Sequence, residues 1–273
     1  SADDAVNNLS KAQLRRATRI RKNFALLSSF LLFIAVLFLI LVEIGGTYNR
    51  PILRDIYFLR LDLSHIVPRS IPNAILINSI AQTLGLHDFY SVALWGFCEG
   101  YNGQGVTFCS RPQSLYWFNP VEILVNELLA GATIALPVDL LDVLNILKTA
   151  SEWMFALFLT GACLSTVMIF ITPISVYSRW TTLPVAILTF VAALTTTVAT
   201  VLATVMFVIV RNVVTKVEEL SIGANLGTKM FVFMWIASGF TICAWLIQTG
   251  LCCCCASRRD VRKGKKKGTV KAY

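Results

Sequence analysis

The sequence has little charge: Asp, Glu, Lys and Arg make up only 14% of its 273 residues, while 56% of the residues are hydrophobic. A soluble globular domain carries about 25% charged and about 45–50% apolar residues. The composition therefore excludes an ordinary soluble domain and indicates an integral membrane protein.

The sequence also lacks the motifs of common enzymes. It has no nucleophile elbow, no HExxH, no phosphate-binding glycine loop and no acid pair placed on one helix. The only histidines, His65 and His87, are not at zinc-site spacing. We predict a protein that is not an enzyme, with no cofactor and no metal, and we interpret the loop carboxylates as a solvated face.

Ionisable residues are missing from the middle of the long apolar runs, where transport pathways normally need them. Glu43 and Glu152 stand at the ends of such runs, where solvation at the membrane interface explains them. A conducting or carrier function is disfavoured, although a regulatory subunit of a channel or synthase would show no such signature.

What the sequence does contain is long uncharged segments, each able to cross a hydrocarbon core of about 30 Å. They are Phe24–Val42, Trp153–Ser178, Trp180–Val210 and Met230–Ser257. Pro173 and Pro184 bracket the break between the second and third runs, which favours a tight turn there. The first run is longer than a signal-peptide core and no A-x-A-like cleavage site follows it. We predict four transmembrane helices.

Basic residues cluster at both ends of the chain, which predicts that both termini are cytoplasmic and that residues 45–151 face outside. The predicted segments are a basic N-terminal segment (1–23), transmembrane helices (24–44, 152–173, 183–210 and 229–251), an extracellular layer (45–151), a cytoplasmic turn (174–182), an outer loop (211–228) and a Cys-rich, polybasic tail (252–273).

The long outer segment carries the pattern of a sheet. Tyr57–Ile66 alternates apolar and polar residues, as a strand with one buried face does. Phe89–Phe97 reads as a second strand, Asn102–Gly105 as a turn and Val106–Ser110 as the returning strand of a hairpin. Further along, Asn119 with Pro120 predicts one short helix and Pro137 another, each with an apolar face for the sheet or the bilayer surface.

Two cysteines, Cys98 and Cys109, flank the predicted hairpin turn in what would be an oxidising compartment. A disulfide between them is the economical inference, and closing a loop of about 12 residues stabilises a fold by roughly 3 kcal/mol. Two reduced, buried cysteines remain the alternative.

The end of the fourth run carries four consecutive cysteines, Cys252–Cys255, which are candidates for S-acylation. Unmodified cysteines that simply end a helix are the alternative, and four consecutive positions do not converge on one zinc ion. The basic tail that follows predicts contact with an anionic inner leaflet and not with nucleic acid. Its candidate lipid-contacting residues are Arg258, Arg259, Arg262, Lys263, Lys265, Lys266 and Lys267.

Small residues at helical spacing indicate close helix packing. Gly161 and Ser165 form one such pair in the second helix, and Gly239 and Cys243 form another in the fourth. Both packing inside the bundle and binding of a partner remain open. The stretch Pro184–Val210 spans about 40 Å as a helix, so we expect it to reach the outer layer and support the sheet.

Several motifs of the sequence resemble those of known membrane proteins. The motif Trp95-Gly96-x-Cys98 with Cys109 is similar to claudin-type tetraspan proteins. The strings YFLRLDLSHI, LWGFCEG and TFCSRPQSLYWFNPVEIL, the last including Asn119 and Pro120, resemble the fungal Sur-seven and PalI family. The chain lacks the second tryptophan of animal claudins, so the resemblance does not imply that it forms tight-junction strands. Its short C-terminal tail differs from PalI-type proteins and favours the Sur-seven branch.

The resemblance implies a membrane α-helical fold: a left-handed, claudin-like bundle of four transmembrane helices. A small extracellular antiparallel β-sheet and short helices complete it. Trp95 and Gly96 would pack and turn the sheet. The implied function is the organisation of eisosomes, furrow-like domains of the fungal plasma membrane, with effects on cell-wall integrity and cortical actin. Expected partners are lipids of the anionic inner leaflet, sterol or sphingolipid, and other membrane proteins or further copies of the chain.

Two other functions remain open. One is an accessory subunit of a membrane enzyme such as a cell-wall polysaccharide synthase. The other is a PalI-like component of ambient pH signalling.

Overall fold

Four long helices dominate the computed structural model, which describes residues 19–64, 87–119, 138–176, 179–216 and 223–253. The helices are α1 (Arg19–Ile44), α2 (Val138–Ile171), α3 (Arg179–Lys216) and α4 (Thr228–Cys253). Each is long and apolar enough to cross a membrane, so the prediction of four membrane-spanning helices is confirmed. A helix suits this environment because it satisfies its own backbone hydrogen bonds where water is absent.

The second helix is longer than the sequence predicts. The short helix expected after Pro137 and the transmembrane helix expected at 152–173 form one continuous helix, α2. The polar stretch Lys148–Glu152 suggested a boundary, but it contains no proline or glycine, so nothing interrupts the backbone there. The helix ends at Ile171, and a short 3-10 turn, Thr172–Val176, which contains Pro173, follows it. The helix predicted to begin at Asn119 and Pro120 lies outside the described residues, which stop at Asn119 and resume at Val138.

The third helix also differs at both ends. It begins at Arg179 and continues through Pro184, whose missing N–H affects a single bond close to the helix start. It ends at Lys216 and not at Val210. Part of the expected loop at 211–228 is therefore helical.

The described strands form one antiparallel sheet in the order β4-β3-β2-β1-β5. They are β1 (Leu59–Asp62), β2 (Phe89–Val92), β3 (Phe97–Tyr101), β4 (Gly105–Cys109) and β5 (Gly223–Leu226). The single strand predicted at Phe89–Phe97 is wrong, because a turn at residues 93–96 divides it into β2 and the start of β3. β5 was not predicted, since its sequence Gly-Ala-Asn-Leu has no β-branched or alternating pattern. Pairing with β1 forms it.

The chain divides into two compact units. The sheet unit comprises residues 40–158 and 198–234, and the helical unit comprises residues 1–39, 159–197 and 235–273. In the sheet unit, the buried Phe58 stacks on Phe207 of α3 with ring centroids 4.7 Å apart. α3 therefore reaches the sheet, as its length predicts. In the helical unit, each helix contributes one residue to an apolar cluster of Leu32, Met168, Val185 and Ala244.

Candidate functional site

The hairpin of β3 and β4 carries a disulfide. Cys98 and Cys109 stand opposite each other in the strand register and are bonded. Gly103 (φ +105°) and Gly105 (φ +80°) adopt backbone conformations at the turn that other residues rarely adopt. The predicted disulfide between Cys98 and Cys109 is present in the structure.

The Trp95-Gly96 pair lies in the turn between β2 and β3. The Ala93 N–H donates to the Gly96 carbonyl at 2.8 Å and closes this turn. Any side chain at Gly96 would collide with the Ser110 hydroxyl, which accepts a 3.0 Å hydrogen bond from the Phe97 N–H. Glycine at this position therefore lets β4 lie against the turn.

The Trp95 side chain connects this turn to two helices. Its indole Nε1–H donates to Glu43 Oε2 near the end of α1 at 3.1 Å. Its ring packs edge-on against Phe155 of α2, with centroids 4.7 Å apart. Trp95 thus contacts α1 through a polar atom and α2 through its ring.

The disulfide lies against the residues that follow α1. Cys98 Sγ is 3.2 Å from the carbonyl oxygen of Gly46. A disulfide sulfur has no hydrogen to donate, so this is a packing contact. Glu43, Gly46, Trp95, Cys98 and Cys109 together form what we call the Trp95 site. Its contacts hold the sheet against the helix ends, and they hold Glu43 with Oε1 buried and without a hydrogen-bond partner in the described part of the chain.

Two loop carboxylates are buried, contrary to the expected solvated face. Asp88 is 6% exposed and accepts a 2.7 Å hydrogen bond from the Asn102 N–H, while Glu99 is 8% exposed. Glu99 Oε2 lies 3.7 Å from His87 Nδ1, and the His87 ring stacks on Tyr101. These groups are structural parts of the sheet. The residues described contain no group of three or more His, Cys, Asp or Glu placed to hold a metal.

One buried polar residue that sequence reasoning missed is Arg21. The sequence places it among the solvated basic residues before the first helix, but α1 already begins at Arg19 and the Arg21 side chain is 1% exposed. Its guanidinium donates to Thr182 Oγ1 of α3. The signal was the spacing of Arg21, Ala25, Ser28 and Leu32, which puts all four on one buried helix face.

The two pairs of small residues have different environments. A side chain at Gly161 would meet the Thr196 Cγ2 methyl group at 2.5 Å, so α2 and α3 pack closely there. Ser165 is fully buried. Gly239 has open space beside it and Cys243 is exposed. The helix-two pair therefore packs inside the helical unit, whereas the helix-four pair lies on its surface.

An open groove of ≈ 580 Å³ runs between α2 and α3 in the sheet unit. Asn145 and Thr149 line one part of it, and apolar side chains including Trp153 and Leu157 line the rest. A second cavity, beneath the sheet, has room for ≈ 30 Å³ and is lined almost entirely by apolar groups.

The remaining predicted site residues lie at or beyond the end of α4. Cys252 is half-buried and lies outside the disulfide, and Cys253 is the last residue of α4. Cys254, Cys255 and the basic residues from Arg258 to Lys267 lie outside the described residues, as does Pro120 of the sequence motif. The aromatic residues Tyr101, Tyr116 and Trp117 of the outer segment are half-buried.

Comparison with known proteins gives two matches. A model of the SUR7/PalI family matches residues 24–247, a range that includes the sheet and nearly all of the four helices. The chain is 29% identical over 167 residues to the SUR7 family protein pun1 of Schizosaccharomyces pombe. That alignment covers 58% of this chain and 58% of pun1, so the similarity extends over little more than half of either protein.

Proposed function

Since the chain belongs to the SUR7/PalI family, a fungal family of membrane proteins that is not known as enzymatic, we propose that it is a non-enzymatic organiser of a plasma-membrane domain. The domain is eisosome-like, and the protein supports membrane organisation, cell-wall integrity and cortical actin there. The family match over residues 24–247 is the observation that carries this proposal.

In this proposal both termini are cytoplasmic and the sheet faces outside. The sheet carries the disulfide, which persists in oxidising compartments. The basic terminal segments favour the cytoplasmic side. Location at the plasma membrane is supported by the family resemblance.

Lipid contacts at the cytoplasmic end hold the protein in its domain. Cys252 and Cys253 are the last two described residues of α4, and Cys254, Cys255 and the basic tail follow them in the sequence. Acyl chains on Cys252–Cys255 would enter the inner leaflet, and each Lys or Arg near an anionic surface contributes about 1 kcal/mol of attraction. Contact with other membrane proteins or self-association completes the proposed partners.

The deciding experiment is localisation of a fluorescent fusion of the full chain in fungal cells. We expect cortical patches that do not recover after photobleaching. A diffuse rim or an endosomal signal would contradict the organiser. Replacing Cys252–Cys255 with Ser is expected to reduce both acyl labelling and patch residence, and unchanged labelling would remove acylation from the proposal.

Two outcomes would assign the other functions. Stoichiometric co-purification with a cell-wall polysaccharide synthase would indicate an accessory subunit. Association with a multi-helix receptor, together with an alkaline-growth defect on deletion, would indicate a PalI-like role in pH signalling.

A further inference from the structure

A row of polar side chains crosses one face of the sheet at Arg60. Arg60 of β1 stands opposite Ser91 of β2 on one side and opposite Asn225 of β5 on the other. Residues that stand opposite each other in a sheet point to the same face, with Cβ atoms about 4.5–5.5 Å apart. Asn225 is exposed, Arg60 is half-buried, and Ser91 and the next residue of the row, Cys98, are buried. The row is therefore open at the β5 edge of the sheet and closed at its other end.

The Arg60 guanidinium is held in place without using its hydrogen-bond donors. It lies over the Phe89 ring, 3.5 Å from the ring centroid, in a cation–π contact. In the part of the chain that the structure describes, its N–H groups have no hydrogen-bond acceptor and no carboxylate partner. A guanidinium carries five N–H donors in a fixed fork, which fits the two oxygens of a carboxylate. Phe89 therefore orients a fork whose donors are available to a ligand.

The two neighbours of Arg60 supply further hydrogen-bonding groups. Ser91 is 3% exposed, and its hydroxyl has no hydrogen-bond partner among the described residues. Asn225 presents its side-chain amide at the exposed end of the row. A buried hydroxyl without a partner is unfavourable, so an acceptor atom that enters beside Arg60 satisfies Ser91 as well.

The charge beside the row suits a ligand with a single negative charge. Asp62 lies on the same face as Arg60, two residues further along β1. Its Oδ1 accepts hydrogen bonds from the Ser64 N–H at 3.0 Å and from the Ser64 hydroxyl at 2.6 Å. Because one carboxylate already stands near the single guanidinium, a doubly charged phosphate is repelled more than a carboxylate is.

The wider surface of the sheet unit also favours an acidic partner. Three further arginines between residues 45 and 119 are exposed and have no ion pair in the described ranges: Arg50, Arg54 and Arg111. The acids of the same ranges are less available, since Asp88 and Glu99 are buried and Asp55 pairs with Lys229 at 2.8 Å. The exposed charge of these ranges is therefore mainly positive, which attracts anionic molecules.

We propose that Arg60, Asn225 and Ser91 form a binding site for a carboxylate, supplied by an acidic peptide segment of a partner protein. The Arg60 fork donates to both carboxylate oxygens, and the Asn225 amide and the Ser91 hydroxyl donate to the same two oxygens. The exposed arginines of the sheet unit attract the other acids of the segment. This inference goes beyond the organiser proposal and does not depend on it.

The test uses the purified full chain in an uncharged detergent and a fluorescein-labelled, end-capped peptide of five glutamates. Binding is followed by fluorescence anisotropy at low ionic strength, where charge pairs are least screened. We expect saturable binding that the matching peptide of five glutamines does not show. Acetate should compete better than phosphate at equal ionic strength. Equal binding of the two peptides, or stronger competition by phosphate, would overturn the proposal.

Variants separate the site from general charge attraction. Arg60→Lys keeps the positive charge but loses the fork, and should weaken binding about tenfold. Arg54→Gln is the matched control, since it removes a whole charge at an exposed position and should change the affinity by less than about twofold. A loss in Arg54→Gln as large as that in Arg60→Lys contradicts the site.

A third variant keeps the proposal testable if Arg60→Lys disturbs the fold. Asn225→Ala changes an exposed side chain and should weaken binding of the glutamate peptide about fivefold, through loss of one hydrogen bond. Its thermal unfolding should match that of the parent protein. Unchanged affinity in Asn225→Ala contradicts the assigned amide contact, and unchanged affinity in a folded Arg60→Lys contradicts the bidentate contact.

Discussion

At the scale of the residue, Trp95 has the most consequential contacts because it joins one polar and one apolar interaction across three elements. Its N–H bonds to Glu43, whose second oxygen is buried and lacks a partner among the described residues. A carboxylate near the end of a membrane span has little water to compensate for a lost donor. Replacing Trp95 alone, which removes the donor, therefore lowers stability more than replacing Trp95 and Glu43 together.

We expect Trp95→Phe, which keeps an aromatic ring against Phe155, to lower the free energy of unfolding by about 1–3 kcal/mol. The double variant Trp95→Phe/Glu43→Leu should recover part of that loss, because no carboxylate is left unpaired. Glu43→Gln is the matched control, since its amide oxygen still accepts the indole N–H. Thermal unfolding of these three variants, of the single variant Glu43→Leu and of the parent protein in detergent measures the effects, and strictly additive single effects would contradict the coupling.

The disulfide gives a second prediction at this scale. Cys98→Ser and Cys109→Ser should each lower stability by roughly 3 kcal/mol, and the double variant should lose no more than either single variant. The reason is that all three variants lose the same single disulfide bond. Surface expression and thermal unfolding check the result, and clearly additive losses would argue against the bond.

These residues also show what a sequence can predict. Cys98 and Cys109 were predictable because they flank a local turn with Asn-Gly chemistry, so their pairing needs only the hairpin. Glu43 and Trp95 are 52 positions apart and meet only after α1 and the sheet are packed. Asp88 and Glu99 were assigned to solvent because residue type alone does not show that a backbone N–H and a histidine face them.

At the scale of the element, hydrophobic runs predicted all four helices but not their ends. Polar residues at Lys148–Glu152 and at Arg211 show where the environment of a helix becomes polar. The helix itself ends only where its backbone hydrogen bonds stop. β5 shows the converse. Four residues with weak strand preference become a strand because β1 offers them an unpaired edge.

Two glycines provide a matched test of helix packing. Gly161→Ala should destabilise the protein by about 1–3 kcal/mol, because its new methyl group meets Thr196. Gly239→Ala in α4 has open space beside it and should be neutral, or stabilising by up to about 1 kcal/mol, since Ala favours helix more than Gly. Melting temperatures of the two variants against the parent protein decide the matter. Equal shifts of the same sign would show that α2 and α3 do not pack closely at Gly161.

At the scale of the whole molecule, the proposed orientation places the sheet outside and the tails inside. Tyr48, which is 63% exposed and follows α1, provides a reporter for the sheet unit. A membrane-impermeant thiol reagent should label Tyr48→Cys in intact cells. Lys271→Cys, in a chain whose Cys252–Cys255 are replaced with Ser, should be labelled only after permeabilisation. The reverse labelling pattern would show that the topology is the opposite of the proposed one.

The β1–β5 ladder has a consequence for how the protein is made. β1, β2, β3 and β4 all precede α2 in the chain, but β5 follows α3 and is synthesised after three of the four helices. Until then, β1 presents a bare edge of backbone donors and acceptors, the kind of edge that invites pairing with other chains. A nascent chain that stalls before residue 223 therefore lacks β5 and leaves this edge of β1 unpaired.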